Sequence, residues 1–407
     1  MSDPSAPRVL LLESAAAVRS TMVRIGVDPA GIERMAAKAQ WHNVLVAQLP
    51  CMEANILKQE MLALGGDAAV ARGTVACSIA ASDVLLMGSL KCLRRLSERL
   101  RAQPFALPQL GQRLEQLLEN FAAVPTRLRG RRRSLDLRRP QVMAIVNTTP
   151  DSFYAGGRCH DLDSALAQVQ RCVDAGADLL DIGGESTRPG AAPVAVEEEL
   201  RRVIPLVEAV GSRFDLPLSV DTNKAQVAQA ALESGADFIN DISGLTFDAE
   251  MADTIAACGG GVFVMHTRAR PQVMQNNTVY ADIIGEICAS LRHSVALAQQ
   301  AGIPDDAIAV DPGIGFGKST AGNLEVIRRL GEFRSLGLPI LLGASRKSMI
   351  GNVLDQPDAA QRLYGSLATA AVAIANGAAI VRVHDVAETR QVVDMAWAIV
   401  HGCESVT

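Results

Sequence analysis

From residue 142 onward, short apolar runs of strand length alternate with longer stretches whose apolar residues recur at helical spacing. The runs cover 142–146, 179–182, 216–220, 238–242, 261–265, 307–311, 340–342 and 379–383. Runs of this kind fit strands buried on both faces, as in a parallel sheet. The stretches 164–175, 196–210, 224–233, 281–300, 359–375 and 389–400 read as helices with one apolar face. Eight alternations in roughly 260 residues are the length and repeat of a closed (β/α)8 barrel. An open doubly wound sheet rarely supplies eight such units in sequence, and no G-x-G-x-x-G follows the first strand. The expected fold is therefore α/β, a (β/α)8 TIM barrel.

The first 126 residues follow a different pattern and predict an extra N-terminal α/β domain, whose role the sequence does not disclose. A strand is expected at 8–12, a serine-capped helix at 14–24 and one or two short strands within 75–88. Helices at 90–100 and 107–121 carry Arg and Glu on their outer faces. Glu53, Lys58 and Glu60 read as a solvated helix face. Residues 127–140 are rich in arginine and read as a polar linker or an edge strand, in preference to an anion-binding patch. The barrel domain then spans 141–407.

Composition narrows the class. Of 407 residues, 49% are apolar and 20% charged, enough for two packed cores and against disorder. A net charge of -5 and an aromatic content of 3% argue against nucleic-acid binding, which needs excess cations and stacking surfaces. Cysteines at 51, 77, 92, 159, 172, 258, 288 and 403 form no CxxC pair, so a zinc ribbon or thioredoxin-like site is not expected. No run reaches membrane-spanning length and no signal h-region opens the chain, so the expectation is a cytoplasmic protein without membrane association.

The candidate chemistry gathers at the C-terminal ends of the strand-like runs, where parallel barrels carry their reactive groups. The second run delivers Asp181 and leads into Glu185, Thr187, Arg188, Pro189 and Gly190. The first ends in Asn147-Thr148-Thr149-Pro150-Asp151, a set that can ligate Mg²⁺ or bond a phosphate oxygen, or simply form an Asx-type turn. Asp221, Asn240 and Asp311 end the third, fourth and sixth runs. Converging at one mouth, they suit a flat heterocycle with several N–H donors, such as an aminopyrimidinone. Arg346, Lys347, Arg382 and His384 end the last two runs, where barrels commonly hold phosphate.

Taken together, these segments resemble dihydropteroate synthases of the folate pathway, over about 142–394 and not over the first domain. The resemblance is carried by Asn147-Thr148-Thr149-Pro150-Asp151-Ser152-Phe153, Gly184-Glu185-Ser186-Thr187-Arg188-Pro189-Gly190, Asp311-Pro312-Gly313-Ile314-Gly315-Phe316, Ser345-Arg346-Lys347-Ser348 and Arg382-Val383-His384-Asp385. It implies a transferase that condenses 6-hydroxymethyl-7,8-dihydropterin diphosphate with 4-aminobenzoate, giving 7,8-dihydropteroate and diphosphate. It further implies a pterin site of Asp221, Asn240, Met265, Asp311 and Lys347. Asn147, Arg382 and His384 would bind the diphosphate, with Asn147 ligating Mg²⁺. Thr187, Arg188, Pro189, Phe316 and Ser348 would form the 4-aminobenzoate site, open to sulfonamides as competitors. Asp151, Arg188 and Lys347 are the implied catalytic set, and a homodimer is the implied assembly.

The sequence departs from the family pattern in two loops. Ala155 stands where the first loop usually has Asp, which leaves more of that charge to Asp151. The strand-five segment reads Met265-His266-Thr267-Arg268-Ala269-Arg270-Pro271 in place of Met-His-Met-x-Gly-x-Pro. Two alternatives share the pterin acceptors. A pterin-dependent methyltransferase has no use for the cations of the last two strands, and a non-catalytic pterin-binding protein would release no diphosphate.

Overall fold

The computed structural model describes residues 7–12, 14–148, 158–188 and 190–402. The chain divides into two compact units, Met1–Phe121 and Ala122–Thr407.

The first unit is a three-stranded antiparallel sheet with helices. Its strands β1 (Trp41–Pro50), β2 (Asp67–Val70) and β3 (Ala81–Ser89) lie in the order β1-β3-β2. Helices α3 (Cys51–Ala63), α4 (Leu90–Leu100) and α5 (Leu107–Ala122) bury Leu57, Met61, Leu93, Leu96, Leu100 and Leu107 in one core with Leu86 of β3. The N-terminal helices α1 (Ala15–Ile25) and α2 (Pro29–Ala39) start at Ser14 and Asp28, whose side chains accept from the N–H groups of Ala17 and Ala30. Residues 8–12 do not form the expected strand: they are largely exposed and pair with nothing in the sheet. Glu53 also differs from its expected solvated position, because its face of α3 turns into the unit and leaves Oε2 buried without a partner.

The second unit is the expected barrel. Strands β6 (Gln141–Asn147), β7 (Leu179–Gly183), β8 (Leu218–Asp221), β9 (Phe238–Asp241), β10 (Gly261–Met265), β11 (Ile308–Asp311), β12 (Leu341–Leu342) and β13 (Ile380–Val383) are all parallel. Their order is β11-β10-β9-β8-β7-β6-β13-β12, and a parallel bridge between Val310 and Ile340 closes the ring. Successive side chains alternate between the helices outside and the barrel interior. Val142, Ala144, Val146, Leu180, Ile182, Val220, Ile239, Val264 and Val310 pack outward against helices. Met143, Leu179, Phe238, Phe263, Ala309, Leu341 and Ile380 form an apolar interior layer. Two residues further along the same strands stand Ile145, Asp181, Asn240, Met265, Asp311, Gly343 and Arg382. One alternation along the strands thus converts a dry plug into a polar mouth.

The arginine-rich segment is not a free linker. It folds as a two-stranded ribbon, β4 (Arg127–Arg129) paired with β5 (Ser134–Asp136), against the N-terminal end of the barrel. Leu128, Leu135 and Leu137 complete the apolar layer, each burial worth roughly 1.5–3 kcal/mol. Its polar groups are tied to the barrel. Arg131 donates to Cys258 O (3.0 Å) and Leu232 O (2.7 Å), and the N–H groups of Arg132 and Arg133 donate to buried Asp237 at 2.9 and 2.8 Å.

Candidate active site

The floor of the mouth is a buried pair of carboxylates on one guanidinium. Asp181 comes from mid-strand β7, Asp221 from the end of β8 and Arg382 from β13. Arg382 Nε donates to Asp181 Oδ2 at 2.6 Å and Nη2 to Asp221 Oδ2 at 2.8 Å. Asn240 Nδ2 donates to the same Asp181 oxygen at 3.0 Å. The other oxygens, Asp181 Oδ1 and Asp221 Oδ1, are buried with no partner, as is Ser219 Oγ. One guanidinium cannot satisfy two carboxylates. Burial pushes the Asp221 carboxyl up to about 7, Arg382 opposing this and Asp181, Glu199 and Asp241 adding to it. Buried polar atoms of this kind normally have partners, so the pair is built to receive donors from a ligand.

Asp311 and Lys347 form the opposite wall. Asp311 accepts from Gly313 N at 2.7 Å, and burial raises its pKa despite Lys347 nearby. Lys347 donates to Ile314 O, and its Nζ lies 4.7 Å from the centre of the Phe316 ring. Burial lowers the Lys347 pKa to about 8, with Asp311 and Asp221 holding it up and Arg382 pressing it down. Met265, Ile242, Met274 and Phe316 form a small apolar cluster beside these groups. The mouth therefore offers acceptors on one side, an ammonium on the other and an apolar surface between, which matches a flat polar heterocycle.

The rim differs in part from the sequence expectation. His384 Nδ1 lies 3.0 Å from Ser345 Oγ on a residue that keeps an exposed edge, and partial desolvation first, then Arg382 and Arg346, lower the imidazole pKa to about 4. That direction favours the neutral ring as a hydrogen-bonding group. Arg346 does not join an anion site. Its backbone is left-handed (φ 58), its Nε donates to Asp385 Oδ2 at 3.0 Å, and the guanidinium is consumed by that carboxylate. Arg382 faces anions only with what its two carboxylates leave over. Arg188 is exposed beyond β7, and Ser348 is exposed at the start of the helix Ser348–Leu354. Thr187 is half-buried. Asp151 and Pro189 lie outside the described residues.

No group of three or more His, Cys, Asp or Glu among the described residues could hold a metal ion. Asn147 at the end of β6 offers one hard oxygen, Oδ1, beside Gly183, where a Cβ would lie 3.6 Å from it, an ordinary contact. One amide oxygen fits a Mg²⁺ that takes its other ligands from phosphate and water.

Sequence reasoning gave no binding role to Asp181, although a single carboxylate inside an apolar strand was the available signal. It also missed Lys224, which pairs with both Glu185 and buried Glu199 behind the loop carrying Thr187 and Arg188. The Glu185 and Glu199 partners are 39 and 25 residues from Lys224, so no local spacing marks them.

Comparison with known proteins agrees with this geometry. The family model described as pterin binding enzyme matches residues 143–384. A dihydropteroate synthase of Synechocystis sp. is 47% identical over 262 residues, 64% of this chain and 91% of its own length. A probable bifunctional folylpolyglutamate synthase/dihydropteroate synthase of Halobacterium salinarum is 41% identical over 387 residues. That match takes in 95% of this chain, so it extends into the first unit, but only 46% of the bifunctional protein. The crystal structure of the Yersinia pestis dihydropteroate synthase with a sulfonamide drug complex aligns with a TM-score of 0.64 and 45% identity. It covers 67% of this chain and 98% of the Yersinia chain. With more than half its length matched by the family model, and 91% of the Synechocystis and 98% of the Yersinia protein covered, the chain belongs to the dihydropteroate synthases among the pterin binding enzymes.

Proposed function

We propose that the residues of the barrel mouth divide the dihydropteroate synthase reaction, the condensation of 6-hydroxymethyl-7,8-dihydropterin diphosphate with 4-aminobenzoate, as follows. The pterin lies between Asp181, Asp221 and Asn240 on one side and Asp311 and Lys347 on the other, against Met265. The observation that carries this reading is the pair of buried, unpartnered oxygens, Asp181 Oδ1 and Asp221 Oδ1. The ring N–H and amino groups of a pterin are the donors they lack.

The reaction breaks the bond between the pterin methylene carbon and the diphosphate oxygen and forms a bond from that carbon to the arylamine nitrogen, which then loses a proton. Positive charge that develops on the methylene is favoured by the surrounding carboxylates, with Asp151 adding to them. Arg382 and neutral His384 donate to the departing diphosphate. Asn147 would share a Mg²⁺ ion with that group, and the chemistry the ion supplies is charge withdrawal from the leaving oxygen. Thr187, Arg188, Pro189, Phe316 and Ser348 receive 4-aminobenzoate, and sulfonamides compete there. A neutral arylamine attacks without a general base, so none is assigned.

The reading includes a cytoplasmic enzyme acting as a homodimer. In its support, Cys51, Cys77, Cys92, Cys172, Cys258 and Cys288 are free thiols, as a reducing compartment requires. Among the described residues no helix is long and apolar enough to cross a membrane. Tyr364, Met395 and Ile399 leave apolar surface on the last two helices for a second copy. Sedimentation would count the copies.

Calorimetric titration tests the site. Lys347→Ala is expected to abolish pterin diphosphate binding in a folded protein, and wild-type affinity would break the assignment. His384→Ala should weaken the diphosphate ester and spare the free hydroxymethyl-pterin. Arg382→Ala should weaken both, because it also strips Asp181 and Asp221 of their cation. Equal weakening of ester and alcohol by His384→Ala would remove the diphosphate role.

A further inference from the structure

The loop after β11 holds a second buried amine that the reaction above does not use. Lys318 is 3% exposed and pairs with no carboxylate among the described residues. Its Nζ lies 2.8 Å from Gly313 O, 3.0 Å from Phe316 O and 2.9 Å from His266 Nδ1. An ammonium buried in this way is costly. Burial drives the Lys318 pKa well below its ordinary value, with Lys347 and Arg268 pressing the same way and Asp311 opposing. The three contacts use all that Nζ can offer in either protonation state: the carbonyls of Gly313 and Phe316 accept from it, and His266 Nδ1 is the third partner.

What this amine fastens is the cradle of Lys347. The loop takes left-handed backbone at Gly313, Gly315 and Gly317 (φ 71, 84 and 61). At Gly313 a Cβ would come within 2.0 Å of His266 O, so only glycine fits there. The carbonyls consequently point in different directions. Those of Gly313 and Phe316 meet Lys318, that of Ile314 meets Lys347, and that of Gly315 accepts from Gln275 at 2.8 Å. Asn323 Oδ1 accepts from Gly315 N at 2.7 Å and so holds the turn between them. The Phe316 ring lies against the Lys347 ammonium.

We propose that Lys318 is a positioning residue for the condensation: by fastening the carbonyls of Gly313 and Phe316 it fixes Ile314 O and the Phe316 ring, and so sets where Lys347 meets the pterin. The inference rests on the pterin-binding role given to Lys347 above. Lys318 itself touches no substrate.

The test is steady-state kinetics on the full chain carrying Lys318→Met, which keeps the apolar stem and loses the three hydrogen bonds, beside Lys347→Met. A displaced Lys347 raises the KM for pterin diphosphate by about 10- to 100-fold, with a smaller change in kcat. It also moves the basic limb of the kcat/KM profile. Asp311, Asp221 and Arg382, which face Lys347, are intact in the Lys318 variant, but Lys318 and Lys347 also interact electrostatically, so the limb shift counts for the lost cradle only together with the rise in KM. A melting temperature that falls while KM and the limb stay at wild type would overturn the inference. If Lys318→Met does not accumulate as folded protein, His266→Leu keeps the amine and removes one partner. There a rise in pterin KM of about 5-fold is expected, and an unchanged KM overturns the inference. Wild-type pterin KM in Lys347→Met would instead remove the role of Lys347. Loss of binding in Lys347→Met with wild-type behaviour in the Lys318 variant removes only the positioning role.

Discussion

The two ends of the barrel use the same residue types to opposite ends. At the N-terminal end, buried Asp237 accepts from the backbone N–H groups of Arg132, Arg133 and Leu218, and the β4–β5 ribbon supplies apolar side chains to the layer above. Several arginines there meet a carboxylate or carbonyl, with Arg133 on Asp215 and Arg129 on Asp306 at 2.8 and 3.2 Å and Arg131 on the carbonyls of Cys258 and Leu232. At the C-terminal end, Asp181 and Asp221 share one guanidinium and each keeps a buried oxygen unpartnered. Asp237 is satisfied within the chain and serves the structure. Asp181 and Asp221, left incomplete side by side at the barrel mouth, are where the proposed ligand would supply donors.

The sharpest contrast is between one aspartate from each end. Asp221→Ala is expected to reduce kcat/KM by about 10³-fold or more. Its melting temperature should be nearly unchanged or slightly raised, since a frustrated carboxylate is removed. Asp237→Ala should leave KM at wild type and cost about 3 kcal/mol or more in urea unfolding, because three backbone donors lose their acceptor. If both variants lost stability and kept KM, the distinction between the two ends would collapse.

The pH profile gives a smaller effect with a defined sign. In the proposed site Asp221 accepts pterin donors as a carboxylate, so activity is expected to fall as pH drops through its value of about 7. Lys347 is proposed to act there as an ammonium, so activity is expected to fall as pH rises through about 8. The kcat/KM optimum is therefore narrow and lies between these values, with about tenfold loss per pH unit beyond either limb. A flat profile from 6 to 9 would contradict the burial of both groups. The smallest expected effect is that of the first unit. A chain beginning at residue 122 should retain kcat/KM within about twofold, since the mouth draws its residues from the second unit alone. Loss of activity in a folded truncated chain would assign the first unit a part in turnover.

The barrel was legible because strands buried on both faces leave continuous apolar runs, and eight of them in order allow few closures. Asp221, Asn240, Asp311, Lys347, Arg382 and His384 could be placed at one mouth because they end those runs. Asp181 stood among the candidate groups without an assigned ligand. It sits mid-strand, and its partner Arg382 is 201 residues away. Arg346 looked like an anion ligand because its left-handed turn toward Asp385 leaves no trace in composition. The arginine-rich ribbon looked like a linker for a similar reason: its partners at Leu232, Asp237 and Cys258 lie more than 100 residues on. In the first unit, the exposed apolar run 8–12 imitated a strand, while β1 and β2 alternate too weakly to stand out.

The most direct test of the account is diphosphate release from the purified full chain with 6-hydroxymethyl-7,8-dihydropterin diphosphate, Mg²⁺ and 4-aminobenzoate. The account predicts release that depends on the arylamine, matched mole for mole by dihydropteroate, and suppressed by a sulfonamide in competition with 4-aminobenzoate alone. Tight binding of the pterin ester with no diphosphate released would contradict it, and would make the barrel mouth a pterin-binding site without the transfer.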